Sequence, residues 1–164
     1  NDKVLILNKK DSLINVFDIL SESITQSLGA GLEIVDFKWW SANELMVLAN
    51  TGMYKLELQT MNLLLVKEFP VKRNPSKLAV DTTLDIMYFL EGDLYRFDTD
   101  IEKMVSTSLG SNFYGLAVNS TTHEVYLTDA KDFVQPGSVV KFSSDFQDSV
   151  IFEVGVNPQY LEVE

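Results

Sequence analysis

The sequence predicts an all-β fold, a β-propeller of four-stranded antiparallel blades, and three observations carry that reading. First, a short phrase recurs. Asn74-Pro75 stands before Leu78-Ala79-Val80, Asn112-Phe113 before Leu116-Ala117-Val118, and Asn157-Pro158 before Leu161-Glu162-Val163. A degenerate copy runs from Glu33 to Phe37-Lys38-Trp39. Second, the anchors Phe37, Leu78, Leu116 and Leu161 lie 41, 38 and 45 residues apart, the period of a propeller blade. Third, only Asp18 to Gln26 carries a helical period, and the repeat frame overrides it.

Within each repeat, alternation and β-branched or aromatic enrichment mark the strands. A first strand is expected at about 34–39, 76–80, 113–118 and 159–163. Polar turns follow at Ser41-Ala42-Asn43, Asp81-Thr82-Thr83 and Asn119-Ser120-Thr121. Second strands fall in Leu45–Leu48, Ile86–Phe89 and Glu124–Leu127. The third carries an aromatic-basic-apolar phrase, Tyr54-Lys55-Leu56 and Tyr95-Arg96-Phe97, with Val140-Lys141-Phe142 its variant. The fourth, at about 62–69, 103–109 and 148–154, is the most variable and the most exposed.

The N-terminal segment fits the same frame without its first strand. Val4–Leu7 reads as a second strand, Leu13–Phe17 as a third and 24–28 as a fourth. The segment from Tyr160 to Val163 reads as a first strand with no blade after it, which would complete the first blade and cover two sheet edges. Blade repeats of one domain over 1–164 are therefore expected at about 1–31 plus 159–164, 32–73, 74–111 and 112–158. Three arrangements satisfy this count: a closed four-bladed ring, part of a larger ring, or two copies forming an eight-bladed ring.

Composition narrows the function classes. The chain has 164 residues, 46% hydrophobic and 23% charged, which is ordinary for a globular protein with a sizeable core. No apolar run approaches the roughly 18 to 20 residues of a membrane-spanning helix. A formal net charge of −11 and a sequence pI near 4.4 argue against nucleic acid, whose phosphates need a Lys/Arg surface, and against an anionic membrane. Without cysteine there are no disulfides and no thiolate chemistry. The sequence opens at Asn1-Asp2-Lys3, so a processed or trimmed product is expected. His123, the sole histidine, falls in a turn and is read as solvated there, with no Ser-His-Asp relay. Trp39 is expected to plug the gap between adjacent blades, with a carbohydrate platform as the alternative.

The run Val125-Tyr126-Leu127-Thr128-Asp129-Ala130-Lys131-Asp132-Phe133-Val134-Gln135-Pro136-Gly137, followed by Gly155-Val156-Asn157-Pro158, resembles the last full blade of a propeller family of Bacteroidetes. Its members are secreted or displayed at the cell surface, are distant relatives of the YVTN-type propellers, and include a lipoprotein that captures cobalamin. Members carry about seven blades, so this chain is similar to their C-terminal half. The resemblance implies an extracytoplasmic location, at the cell surface or in the periplasm. It also suggests cobalamin as a ligand, without supplying a contact set. Asp11-Ser12-Leu13, Asp81-Thr82-Thr83 and Asp148-Ser149-Val150 resemble the Asp-(Ser/Thr)-apolar sites at which Bacteroidetes glycosylate secreted proteins.

Loops joining fourth to first and second to third strands share one propeller face, where ligands commonly bind. That face would collect Gly29–Glu33, Lys72-Arg73-Asn74, Ser111–Tyr114, Val156-Asn157, Gln159 and the insertion 129–137, which accounts for the long 45-residue interval. Extra loop length on one face often carries binding. The candidate ligand-binding residues are Arg73, Asn112, Phe113, Tyr114, Asp129, Lys131, Asp132, Phe133, Gln135 and Asn157. The alternative is a structural turn, in which Asp129 and Asp132 cap backbone N–H groups and Pro136-Gly137 forces the return. Recurrent Asn74, Asn112 and Asn157 read as turn residues tolerating unusual φ, or as a ring of amides. No catalytic residue, metal site or cofactor is expected. Asp129 and Asp132 offer two carboxylates without calcium-loop spacing.

The function expected is a non-enzymatic binding or scaffold propeller, capturing a small molecule or an outer-membrane or surface protein on the face bearing 129–137. The alternative is a propeller hydrolase or lyase with its site in the central channel. A homodimer, or assembly with missing blades, is the corresponding expectation for partners.

Overall fold

The structure, a computed structural model, describes residues 3–110, 113–161 and 163. Its regular elements among them are fifteen β-strands in four antiparallel sheets. The first sheet is β1 (Lys3–Asn8), β2 (Leu13–Asp18) and β3 (Ser23–Leu28), in that order. The second holds β4 (Ile34–Ser41), β5 (Glu44–Ala49), β6 (Gly52–Glu57) and β7 (Asn62–Glu68). The third runs β8 (Lys77–Asp81), β9 (Ile86–Glu91), β10 (Asp93–Asp98) and β11 (Lys103–Ser106). The fourth comprises β12 (Phe113–Val118), β13 (Val125–Asp129), β14 (Pro136–Phe142) and β15 (Ser149–Val156). Each sheet is a meander of consecutive strands, which is the propeller blade. The weak helical period of 18–26 lost to pairing: Ser23–Leu28 lies against β2.

The turns explain the regular spacing. A carboxylate or amide at the end of a strand bonds the N–H groups two or three residues on. Asp18 accepts from Ser21 N, Asp81 from Thr83 N and Leu84 N, Asp98 from Asp100 N and Ile101 N, and Asn119 from Thr121 N and Thr122 N. A left-handed residue then redirects the chain: Glu22, Asp85, Glu102 and His123 all have φ between 51° and 61°. Short polar side chains stabilise such turns by bonding the local backbone.

The chain divides into two compact units, 1–75 and 76–164, each with a core between two sheets. In the first unit Ile14, Val16 and Leu28 meet Ile34, Leu45, Val47, Ala49 and Leu56. In the second, Ala79, Ile86, Tyr88, Leu90 and Leu94 meet Leu116, Val125, Leu127 and Phe142. Second strands are buried on both faces, as Leu45–Ala49 and Ile86–Leu90 show, so they read as continuous apolar runs rather than alternations.

Three expectations are corrected. The first strand expected at 159–163 is not formed: no described residue of 157–163 lies in a strand, and the first sheet has three strands among the described residues. Asn157, at φ 57°, ends β15, and Pro158 has no N–H to give a ladder. The tail is held by the second unit instead: Thr128 Oγ1 donates to Pro158 O at 2.7 Å, and Lys77 Nζ lies 4.9 Å above the Tyr160 ring. Trp39 does not plug a gap; it is 59% exposed. His123 is not simply solvated, because its Nδ1 lies 2.8 Å from Oδ2 of the fully buried Asp81.

Candidate functional site

The insertion between β13 and β14 is a pinned loop with an apolar tip. Asp129 Oδ1 accepts from Lys131 N at 2.7 Å, and Phe133 N donates to Ala130 O at 2.9 Å. Asp132 Oδ1 accepts from Val134 N at 3.1 Å and Gln135 N at 2.9 Å; its Oδ2 takes the Gln135 side-chain amide at 2.9 Å. Those donors, the Gln135 backbone N–H foremost, hold the Asp132 carboxyl below its ordinary pKa, because each favours the ionised form. Lys131 and Phe133 take left-handed φ of 49° and 64°. The return is tight. A Cβ on Gly137 would sit 2.5 Å from Asp129 O and 2.6 Å from Pro158 Cδ.

Beside this loop, β12 carries a bulge. Phe113 pairs with Asp129 and Gly115 with Thr128, leaving Tyr114 as the extra residue. Bulges of this kind re-aim a side chain. Phe113 packs against the second core, whereas Tyr114 is 39% exposed. Its ring meets Phe133 edge-on, centroids 5.3 Å apart at 80°, and Phe133 itself is 52% exposed. Val134 next to it is open as well.

The remaining candidates fall as follows. Lys131 and Gln135 are exposed on the loop and Asp129 is half-buried. Asn157 is half-buried, and its Oδ1 is buried without a hydrogen bond from any of the described residues. Asn112 lies outside the described residues. Arg73 belongs to the first unit, where its guanidinium lies 5.4 Å above the Phe69 ring and its N–H bonds Asn50 O at 2.9 Å. Nearby in that unit, Asn50 Nδ2 donates to Glu33 Oε2 at 2.8 Å and Lys72 to Glu33 Oε1. Both Asp129 and Asp132 thus meet the structural reading of their turn, and both surround an aromatic tip that the turn holds up. Sequence reasoning missed Val134 and the Lys77–Tyr160 pair. Val134 was legible as the loop's second apolar tip residue; the pairing of Lys77 with Tyr160, 83 positions away, had no local signal.

Among the described residues no three His, Cys, Asp or Glu side chains converge on a point. The loop offers aromatic faces and edges, two carboxylates committed to N–H groups, and the exposed Lys131 ammonium. Such a surface suits a flat or apolar group with a few polar atoms.

No family model matches the chain, and no curated protein sequence does. Solved structures with this fold do. Hydrazine synthase of Kuenenia stuttgartiensis is similar with a TM-score of 0.71 at 11% identity, over 95% of this chain and 47% of that one. An auxiliary nutrient binding protein from Bacteroides thetaiotaomicron is similar with a TM-score of 0.64 at 11% identity, over 96% and 40%. The nidogen/laminin complex gives 0.66 at 10% identity, over 94% and 63%. The chain therefore spans less than two thirds of the length of each. The likeness is one of propeller fold, and these neighbours include both enzymes and binding proteins.

Proposed function

We propose that the chain is a non-enzymatic propeller module that works outside the cytoplasm and captures its ligand on the Tyr114–Phe133 lip. The observation that carries this reading is the pairing of a rigid loop with an exposed aromatic tip. Five hydrogen bonds would be an unusual investment in a loop whose tip met only water, since ordering a chain has an entropic cost. Binding from a pre-ordered surface avoids that cost at the moment of capture. The carboxylates of the loop are occupied by N–H donors, which favours recognition over proton transfer. The nutrient-binding and nidogen neighbours support an extracytoplasmic binding role in general terms.

The ligand class is a planar or apolar group, and the resemblance to Bacteroidetes propellers makes cobalamin the first compound to try. Calorimetric titration of the chain with cyanocobalamin should give saturable heat. Phe133→Ala and Tyr114→Ala should each weaken it about tenfold, the value of an aromatic contact of roughly 1.4 kcal/mol. Undiminished affinity in both variants, with the strand signal in circular dichroism intact, rules out this lip as the site. No heat with cyanocobalamin rules out that ligand and shifts the reading to a protein partner.

A further inference from the structure

The first unit holds a recess of its own, where four of its loops meet. Lys9 and Ser12 come from the β1–β2 turn, Glu33 from the β3–β4 turn, Asn50 from the β5–β6 turn and Pro75 from the segment after β7. The recess measures about 340 Å³, within the range of small-molecule pockets. Buried Ile34 and Pro75, with half-buried Val35, give it apolar walls.

Asn50 is the hub of this place. Its N–H donates to Glu33 O at 3.2 Å, its carbonyl accepts from Arg73 N at 2.9 Å, and its Nδ2 donates to Glu33 Oε2 at 2.8 Å. Three loops are thereby tied together, so the recess is formed before anything enters it. One atom of the hub stays unserved: Asn50 Oδ1 is buried and accepts no hydrogen bond from any described residue. Burying an acceptor without a donor is costly, and such an atom marks a place for a water or a ligand. With its backbone and Nδ2 both held, Asn50 does not turn elsewhere for a donor.

Charge in the recess is mixed. Lys72 and Asn50 donate to different oxygens of Glu33. These donors, Lys72 foremost, hold the Glu33 carboxyl below its ordinary pKa, so it is ionised at neutral pH. Each carboxylate oxygen can accept a further bond. The Lys9 side chain is exposed, and neither its ammonium nor Ser12 Oγ bonds another described residue. Acceptors for an N–H donor, a cation, a hydroxyl and apolar walls thus share one recess.

We infer that this recess binds a free α-amino acid with an apolar side chain. Its ammonium donates to Asn50 Oδ1 and Glu33, its carboxylate takes Lys9 and Ser12, and its side chain lies against Ile34, Val35 and Pro75. An α-amino acid carries both charges on one carbon. A simple acid or a simple amine leaves one set of partners unpaired, and specificity comes from that difference. The site lies in the first unit and does not depend on the reading of the Tyr114–Phe133 lip in the second.

The test is to titrate the full chain with the standard L-amino acids, following the thermal midpoint and the heat of binding. At least one with an aliphatic side chain should raise the midpoint, because a ligand of the folded state stabilises it, and should give saturable heat. Its analogue without the amino group and its analogue without the carboxylate should each bind about tenfold more weakly, as should the amino acid to Lys9→Gln, since each change removes a charge-assisted hydrogen bond. The strand signal of Lys9→Gln should be unchanged, its site being exposed. In NMR spectra the side-chain amide protons of Asn50 should move along the same binding curve. No response to any amino acid, equal affinity for either analogue, wild-type affinity in Lys9→Gln, or an unmoved Asn50 signal overturns the inference.

Discussion

Asp81 is fully buried and spends both oxygens inside the protein. Oδ1 accepts from Thr83 N at 3.1 Å and Leu84 N at 3.2 Å, and Oδ2 faces His123 Nδ1 at 2.8 Å. A buried polar group left without its partner costs more than the bond itself contributes. Asp81→Ala strips two N–H groups and an imidazole of their acceptor, so it should lower stability by about 1–3 kcal/mol. His123→Ala leaves the carboxylate its two N–H donors and should cost less. Urea denaturation with an unchanged slope would measure both; a larger loss in His123→Ala contradicts this ordering. Asp132 differs because it is exposed, and its expected effect is one of pH. Its folded pKa lies below the ordinary value of 3.8, so its contribution to loop order is full above the ordinary carboxyl range. That contribution is lost as pH falls from there through the depressed folded value. The amide signals of Val134 and Gln135 should move together over that acid window, and Asp132→Asn should abolish the movement.

Strands and turns belong to the next scale, where local chemistry repeats and pairing partners are chosen. The basic residue of the third strand recurs for a visible reason. Lys55 Nζ reaches Glu44 at 2.9 Å and Lys141 Nζ reaches Glu124 at 2.7 Å. In both cases the glutamate sits two residues before the residue opposite the lysine, Met46 or Tyr126. Glu124 also accepts from Thr122 and Tyr126. Such half-exposed pairs contribute little each, yet they select one register. Periodic features like these made the fold legible: the expected strand 113–118 is β12, and the expected 86–89 lies within β9 (Ile86–Glu91). The loop 129–137 was legible for the same reason, as an interruption of the period. Where the tail pairs was not, because a strand phrase does not say which edge it meets. Trp39 shows the same limit: it holds the place in β4 that Val118 holds in β12, two residues past the anchor, yet it is exposed where Val118 packs on a core. Gly137 supplies a test at this scale. A methyl group there would push on Asp129 O and Pro158, so Gly137→Ala should cost about 1–3 kcal/mol. It should also loosen the tail, raising hydrogen exchange at Gln159 and Tyr160; protection there equal to the wild type contradicts the packing argument.

For the molecule as a whole, charge is the property that no single strand sets. A net charge of −11 works against compaction through self-repulsion. Salt acts on this in two opposing ways. It screens the repulsion over a Debye length of about 10 Å at 0.1 M, and it weakens exposed ion pairs such as Lys72–Glu33. Exposed pairs are worth only about 0–1 kcal/mol apiece, whereas the repulsion is summed over every carboxylate in range, so screening of repulsion wins. Raising sodium chloride from about 10 mM to 0.3 M, which shortens the Debye length well below 10 Å, should therefore raise the thermal midpoint. A midpoint that falls as salt rises would mean that exposed ion pairs such as Lys72–Glu33 outweigh the summed repulsion between carboxylates.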